Sequence, residues 1–241
     1  MYVPERFVPD EDAVRDLLTQ HGASDLITVT EQGLLATLLP FEYDPEAGEH
    51  GALIGHMARA NNQWKVPALG EAMVIVRGPE AYITPTWYAT KQEHHRVVPT
   101  WNYMIARVYG QLVVHDDPAW IEAQVRRLTD RHEAGYDEPW SVDQAPPKFI
   151  ERQLRAVVGV ELAISRIEAK FKLSQNQPQE NIDGVIAGLE ARGQSDDVVV
   201  AAAVRANSQA DGAGVTVDSM TDRSHLRGLF VPRTRSQGWG T

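Results

Sequence analysis

Apolar residues recur along this chain with two periods, and each change of period marks a new element. Val14, Leu17 and Leu18 fall at helical spacing behind Asp10 and Asp12, either of which can cap the helix, and Gly22 ends the run. Two strand-like runs follow, 26–30 and 34–39, joined by Glu31-Gln32-Gly33 as in a β-hairpin. The polar stretch FEYDPEAGEHG reads as loop, 52–58 as the next strand and 59–63 as a turn. Short strands are expected at 73–76 and 81–84, on either side of the turn signal Arg77-Gly78-Pro79. Over 99–108 the alternation sets Trp101, Tyr103 and Ile105 on one face and Asn102, Met104 and Ala106 on the other. Gly110 is expected to break that strand before a further run at 111–115.

Helical spacing returns at Ile121, Val125, Leu128 and His132, with Asp117 as cap and Pro118 in the first turn. DEPWSVDQAPP reads as loop, and 148–156 as a helix with Phe149, Ile150 and Leu154 inward. Residues 157–172 return to strand, with Val158, Val160, Leu162 and Ile164 on one face, and end in the polar KLSQNQ. Helices at 179–191 and 195–206 follow, the second capped by Ser195. Six or seven short strands joined mostly by tight turns argue for an α+β fold, an antiparallel barrel with peripheral helices. The expected division is a barrel over 1–176, helices packed on it over 177–207, and a loosely structured tail over 208–241, where weak periodicity and Gly, Ser, Asp, Arg and Thr prevail.

Composition narrows the chemistry. The absence of Cys removes disulfides, thiolate catalysis, zinc–cysteine sites and iron–sulfur clusters. A formal net charge of −10 works against binding DNA by neutralising its phosphates. The longest apolar run, 198–204, is too short to span a bilayer and no signal-peptide pattern opens the chain, so no membrane partner and a cytoplasmic location are expected. GxSxG, HExxH, Walker and GxGxxG patterns are all missing. Adjacent His94 and His95 would point to opposite faces of a strand, which makes a poor metal pair.

Residues 55–103 hold three of the six Trp and three of the seven Tyr, interleaved with Arg59, Asn61, Lys65, Lys91 and Asn102. Flat walls, hydrogen-bond donors and cations suit a planar ligand bearing a phosphate, though the same aromatics equally describe a packed core. Without a phosphate loop, Thr84, Thr86, Lys91 and Arg59 are the candidate anion holders.

The blocks MYVPERF, GHMARANNQWK, GPEAYITPTWY, VPTWNY, DDPAW and VGVELAISRIEAKFKLSQN stand in the order seen in the PaiB-type FMN-binding family, often named negative transcriptional regulators. The chain resembles that family over roughly residues 1–207. The resemblance implies a flavin-binding split barrel, similar to pyridoxamine-phosphate oxidase, that forms homodimers with FMN at the subunit interface. It implies that His56, Met57, Ala58, Arg59 and Asn61 run beside the isoalloxazine ring. Thr84, Thr86, Trp87, Tyr88 and Lys91 would form the phosphate-binding strand, and Trp101, Asn102, Lys172, Ser174 and Gln175 the remaining wall. Thr84 and Thr86 stand where the family more often has Ser, so a hydroxyl is kept.

The family name speaks of repression, yet Val198, Val199, Val200 and the alanines after them occupy the helix that would have to read a DNA groove. Direct DNA binding is therefore doubtful, and an indirect effect or flavin-dependent sensing is expected. The alternatives are a flavin-dependent oxidoreductase, with His56, Arg59, Tyr88 or Asn102 tuning the ring, and a haem-binding or haem-degrading barrel using His56 or His115.

Overall fold

The computed structural model describes residues 1–212, with side chains to 209. The expected tail therefore lies largely outside the described residues. Asp10 accepts a hydrogen bond from the Ala13 N–H and starts α1 (Glu11–Gln20), which buries Leu17 and Leu18. Strands β1 (Ala23–Thr30) and β2 (Gly33–Pro40) form the hairpin, and Gly33, at φ +110°, takes the left-handed turn position. The segment expected as loop contributes a short β3 (Glu42–Asp44), followed by β4 (Ala52–Ala58).

Two expected breaks are bends instead. β5 (Ala72–Ile83) is one strand with a register shift between Arg77 and Glu80. Pro79, which has no N–H to pair, sits in this bulge, and Gly78 makes room for Leu17 of α1. After the one-turn α2 (Lys91–His94), β6 (Thr100–His115) runs through Gly110, shifting register against its neighbour there. A Cβ on Gly110 would lie 2.0 Å from the Ala163 carbonyl oxygen, so this glycine marks a close approach of two strands.

The chain continues through α3 (Pro118–Glu133), capped by Asp117, then α4 (Pro147–Arg155), β7 (Val157–Lys172), α5 (Gln179–Arg192) and α6 (Asp197–Gly212). Here α6 starts two residues after the expected Ser195 cap. It also carries Ser208 to Gly212 as helix, where composition alone predicted tail. Phe149 of α4 is 44% exposed, because no described element covers that side of the helix.

The seven strands of the described residues all pair antiparallel, in the order β2-β1-β5-β6-β7-β4-β3. The two edge strands, β2 and β3, are consecutive in the chain and are separated only by the buried Phe41. The sheet must therefore curl until its edges meet at Phe41, which makes a split barrel. Leu26, Leu53, Met57, Val74, Val108, Val160 and Leu162 fill it, and α5 and α6 extend the same core with Val185, Leu189, Val200 and Val204. The outer face of the β1–β2 hairpin is left bare, with Val29, Leu34 and Leu38 exposed. Among the described residues no helix is long and apolar enough to cross a membrane.

Candidate functional site

The expected site residues divide into two groups. The first gathers where β5 ends, β6 begins and β7 ends, since Ile83 pairs with Thr100 and Tyr103 with Lys172. Trp101 points outward, 51% exposed, and meets the exposed Tyr82 edge-to-face at 6.1 Å. Lys172 donates to Thr100 Oγ1 at 2.5 Å and to the Trp101 carbonyl at 2.8 Å. No carboxylate pairs with Lys172 among the described residues, and burial, then the nearby Lys170, pulls its pKa below the ordinary lysine value. Behind it, the buried Asn102 donates to Ser174 Oγ at 2.9 Å, while Asn102 Oδ1 has no partner among the described residues. Ser174 holds a positive φ of +66°, and Gln175 folds back to accept from Leu173 N–H and donate to Phe171 O.

Thr84, Thr86 and Lys91 lie at this same end. The Thr84 and Thr86 hydroxyls are 2.9 Å apart, and Lys91 opens α2. Two expected members turn away from solvent. Tyr88 is a core residue, and burial raises its phenol pKa. Trp87 lies against α5, where a Cβ on Gly188 would come within 2.2 Å of its ring.

The second group sits at the opposite end of β7, where Ala58 pairs with Val157. Arg59 is fully engaged, donating to Asp116 at 2.5 Å, to the Val157 carbonyl at 2.9 Å and to the Arg155 carbonyl at 2.9 Å. Its charge is matched by Asp116, so it is not a free anion holder. Asn61 donates to Thr37 Oγ1 and accepts from the Gln63 N–H. Met57 lies in the barrel core, whereas the Ala58 position is exposed. His56 donates through Nδ1 to Gln124 Oε1 at 2.7 Å.

Both His56 and His115 pair across Gly159, and the Trp120 indole lies over that glycine, stacked on His115 at 4.0 Å. His115 donates to Glu161 at 2.8 Å. Each of the two histidines named for a haem alternative is thus already engaged, His56 on Gln124 and His115 on Glu161 and Trp120.

β7 is 16 residues long, roughly 50 Å along its path at about 3.3 Å per residue. The two groups therefore lie at opposite ends of the strand within this chain. A groove of about 380 Å³ lies elsewhere, between α5 and α6, lined by Asp183, Ile186, Glu190 and Arg205 among others. Its polar groups already satisfy one another, Arg205 on Glu190 and Ser208 on Gln179, so the chemistry is better sought at the ends of β7.

Sequence reasoning missed Tyr82 and Thr100. Tyr82 and Thr100 flank residues that were named, and the register of β5 against β6 would have found them.

The sheet order and its closure at Phe41 define the class of protein, an antiparallel split barrel. Residues 1–166 match the family described as "Putative FMN-binding domain". The chain belongs to this family, and its cofactor is FMN. A Bacillus subtilis relative, "Protease synthase and sporulation protein PAI 2", is 31% identical over 79% of this chain and 89% of its own. An uncharacterized protein of Emericella nidulans is 34% identical over 69% of this chain and 79% of its own. Among solved structures, a flavocytochrome from Azotobacter vinelandii has the same fold at TM-score 0.51 and 15% identity, covering 67% of each chain. A conserved hypothetical protein from Mycobacterium tuberculosis does so at 0.51 and 12%, covering 74% of this chain and 95% of its own.

The Lys172 end fits FMN on its own chemistry. A half-buried ammonium with only neutral acceptors is matched by a phosphate, and exposed aromatic edges suit a flat ring.

Proposed function

We propose that the protein is a homodimer with two composite FMN sites and that it acts through the redox state of the flavin. Each site would combine the Trp101–Lys172 end of one subunit with the His56–Asn61 end of the other. The observation that carries this reading is Lys172, a cation held by Thr100 and the Trp101 carbonyl beside an open aromatic face. The separation of the two groups along β7 supports a second copy, as does the bare apolar face at Val29, Leu34 and Leu38.

When bound, FMN supplies hydride and electron transfer. The chain's share is to hold the phosphate with Lys172, Thr84, Thr86 and Lys91, and to wall the ring with Trp101 and Tyr82. His56 and Asn61 of the partner would approach from the other side.

Sensing with an indirect effect on transcription is favoured over groove reading, because Val200, Ala201 and Val204 of α6 are buried in the core. The name of the Bacillus subtilis relative is compatible with such a role.

The decisive experiment is the absorbance spectrum of the purified protein with an FMN titration by calorimetry. One FMN per subunit is expected, and a colourless protein indifferent to FMN would refute the reading. Lys172→Met should weaken FMN by roughly ten- to a hundredfold, from a charge-assisted contact of about 1.5–3 kcal/mol. Turnover of a reduced nicotinamide would mark an oxidoreductase, and its absence a binder or sensor. A shifted band on DNA at moderate salt would restore direct repression.

A further inference from the structure

Arg192 ends α5, beyond the residues matched by the family. Its Nε and Nη2 donate to the two oxygens of the buried Asp197 at 2.7 and 2.5 Å. Its Nη1 donates to the Tyr82 carbonyl at 3.0 Å, and its Cζ lies 5.0 Å from the centre of the Trp87 ring. One planar group thus joins the end of α5, the start of α6, the Trp87 knob and the last residues of β5. Among the described residues β1 pairs with β5 only at Met73 to Ile75, so at Tyr82 none of their strands flanks β5 on that side. Arg192 supplies the donor that a neighbouring strand would otherwise provide. Tyr82 is the register partner of Trp101 and touches its ring, so the orientation of the aromatic face depends on where this carbonyl is held.

We infer that Arg192 is a positioning residue for the flavin wall: through Tyr82 it sets the Trp101 face, and thereby couples the α5–α6 pair to cofactor affinity. The inference rests on the site proposed above. A lysine can keep the charge pair with Asp197, but it lacks the fork that reaches Asp197 and the Tyr82 carbonyl together while stacking on Trp87.

Arg192→Lys and Arg192→Met are compared with the native protein for thermal midpoint, FMN dissociation constant and visible circular dichroism of the bound flavin. The expected result is that Lys holds the midpoint near native, yet both variants weaken FMN at least tenfold and alter the dichroism. An FMN affinity within twofold of native in the Lys variant, or a recovery of affinity in step with its midpoint, overturns the inference. Lys172→Met run alongside separates the failures. Unchanged affinity there removes the site and this inference with it. Lost affinity there, with native affinity in both Arg192 variants, removes the inference alone.

Discussion

His21 donates through Nδ1 to the Leu18 carbonyl at 2.5 Å, while its Nε2 is buried without a partner among the described residues. Burial is the main cause that lowers its pKa to about 4, with Arg131 and His132 adding to it against the Leu18 bond. Between about pH 6.5 and 4 the unfolded chain therefore takes up a proton that the folded chain refuses. Stability must fall with pH across that window, by up to about 3 kcal/mol. Urea midpoints at pH 7 and pH 5 would show it, and a flat profile would contradict the burial. Asp116 and Asp197, held below the ordinary carboxylate range by Arg59 and Arg192, lose their contribution only on further acidification through that range. Trp101, half-exposed, behaves differently from a core tryptophan. Trp101→Ala should change stability by no more than about 0.5 kcal/mol while lowering FMN affinity, read by melting and titration together. Residue types and their order were legible in the sequence. Burial was not: Tyr88 and Trp101 lie in similar aromatic blocks, and only packing sends one inward and leaves the other on the surface.

At the scale of elements, periodicity gave α1, α3 and β7 almost to the residue, because each has a cap or a sustained alternation. It failed where Gly and Pro bend a strand rather than end it. Arg77-Gly78-Pro79 is a bulge in β5 and Gly110 a crossing point in β6, distinctions that depend on a partner strand the local pattern does not contain. Gly110→Ala tests this, since its methyl would meet the Ala163 backbone, which cannot swing aside as a side chain can. A loss of about 1–3 kcal/mol in the denaturant midpoint is expected, and a neutral result would mean the two strands can part there. Helix α4 lies where its spacing places it, but Phe149 is exposed rather than inward, for a related reason. Its pattern is amphipathic, but an apolar stripe does not say whether the covering surface belongs to the same chain.

For the whole molecule, the closure at Phe41 and the bare hairpin face decide what the barrel can do alone. Replacing Leu34 and Leu38 together by Glu places charges on that face without touching the core. Sedimentation should then report a monomer, with FMN lost alongside. A dimer that persisted with its flavin would move the interface elsewhere. The barrel class was legible in strand count and turn spacing, whereas the division of the site into two groups was not, since it follows from pairing register along β7. That strand acts as a ruler, fixing how far apart the two groups lie on each polypeptide. Suppose one polypeptide is crippled at Asn61 and another at Lys172, and the two are mixed and allowed to exchange. Each hybrid pair would then bring both lesions to a single cleft and leave its twin whole, so with equal parents exchanging at random about a quarter of the native flavin capacity would return from two inactive parents.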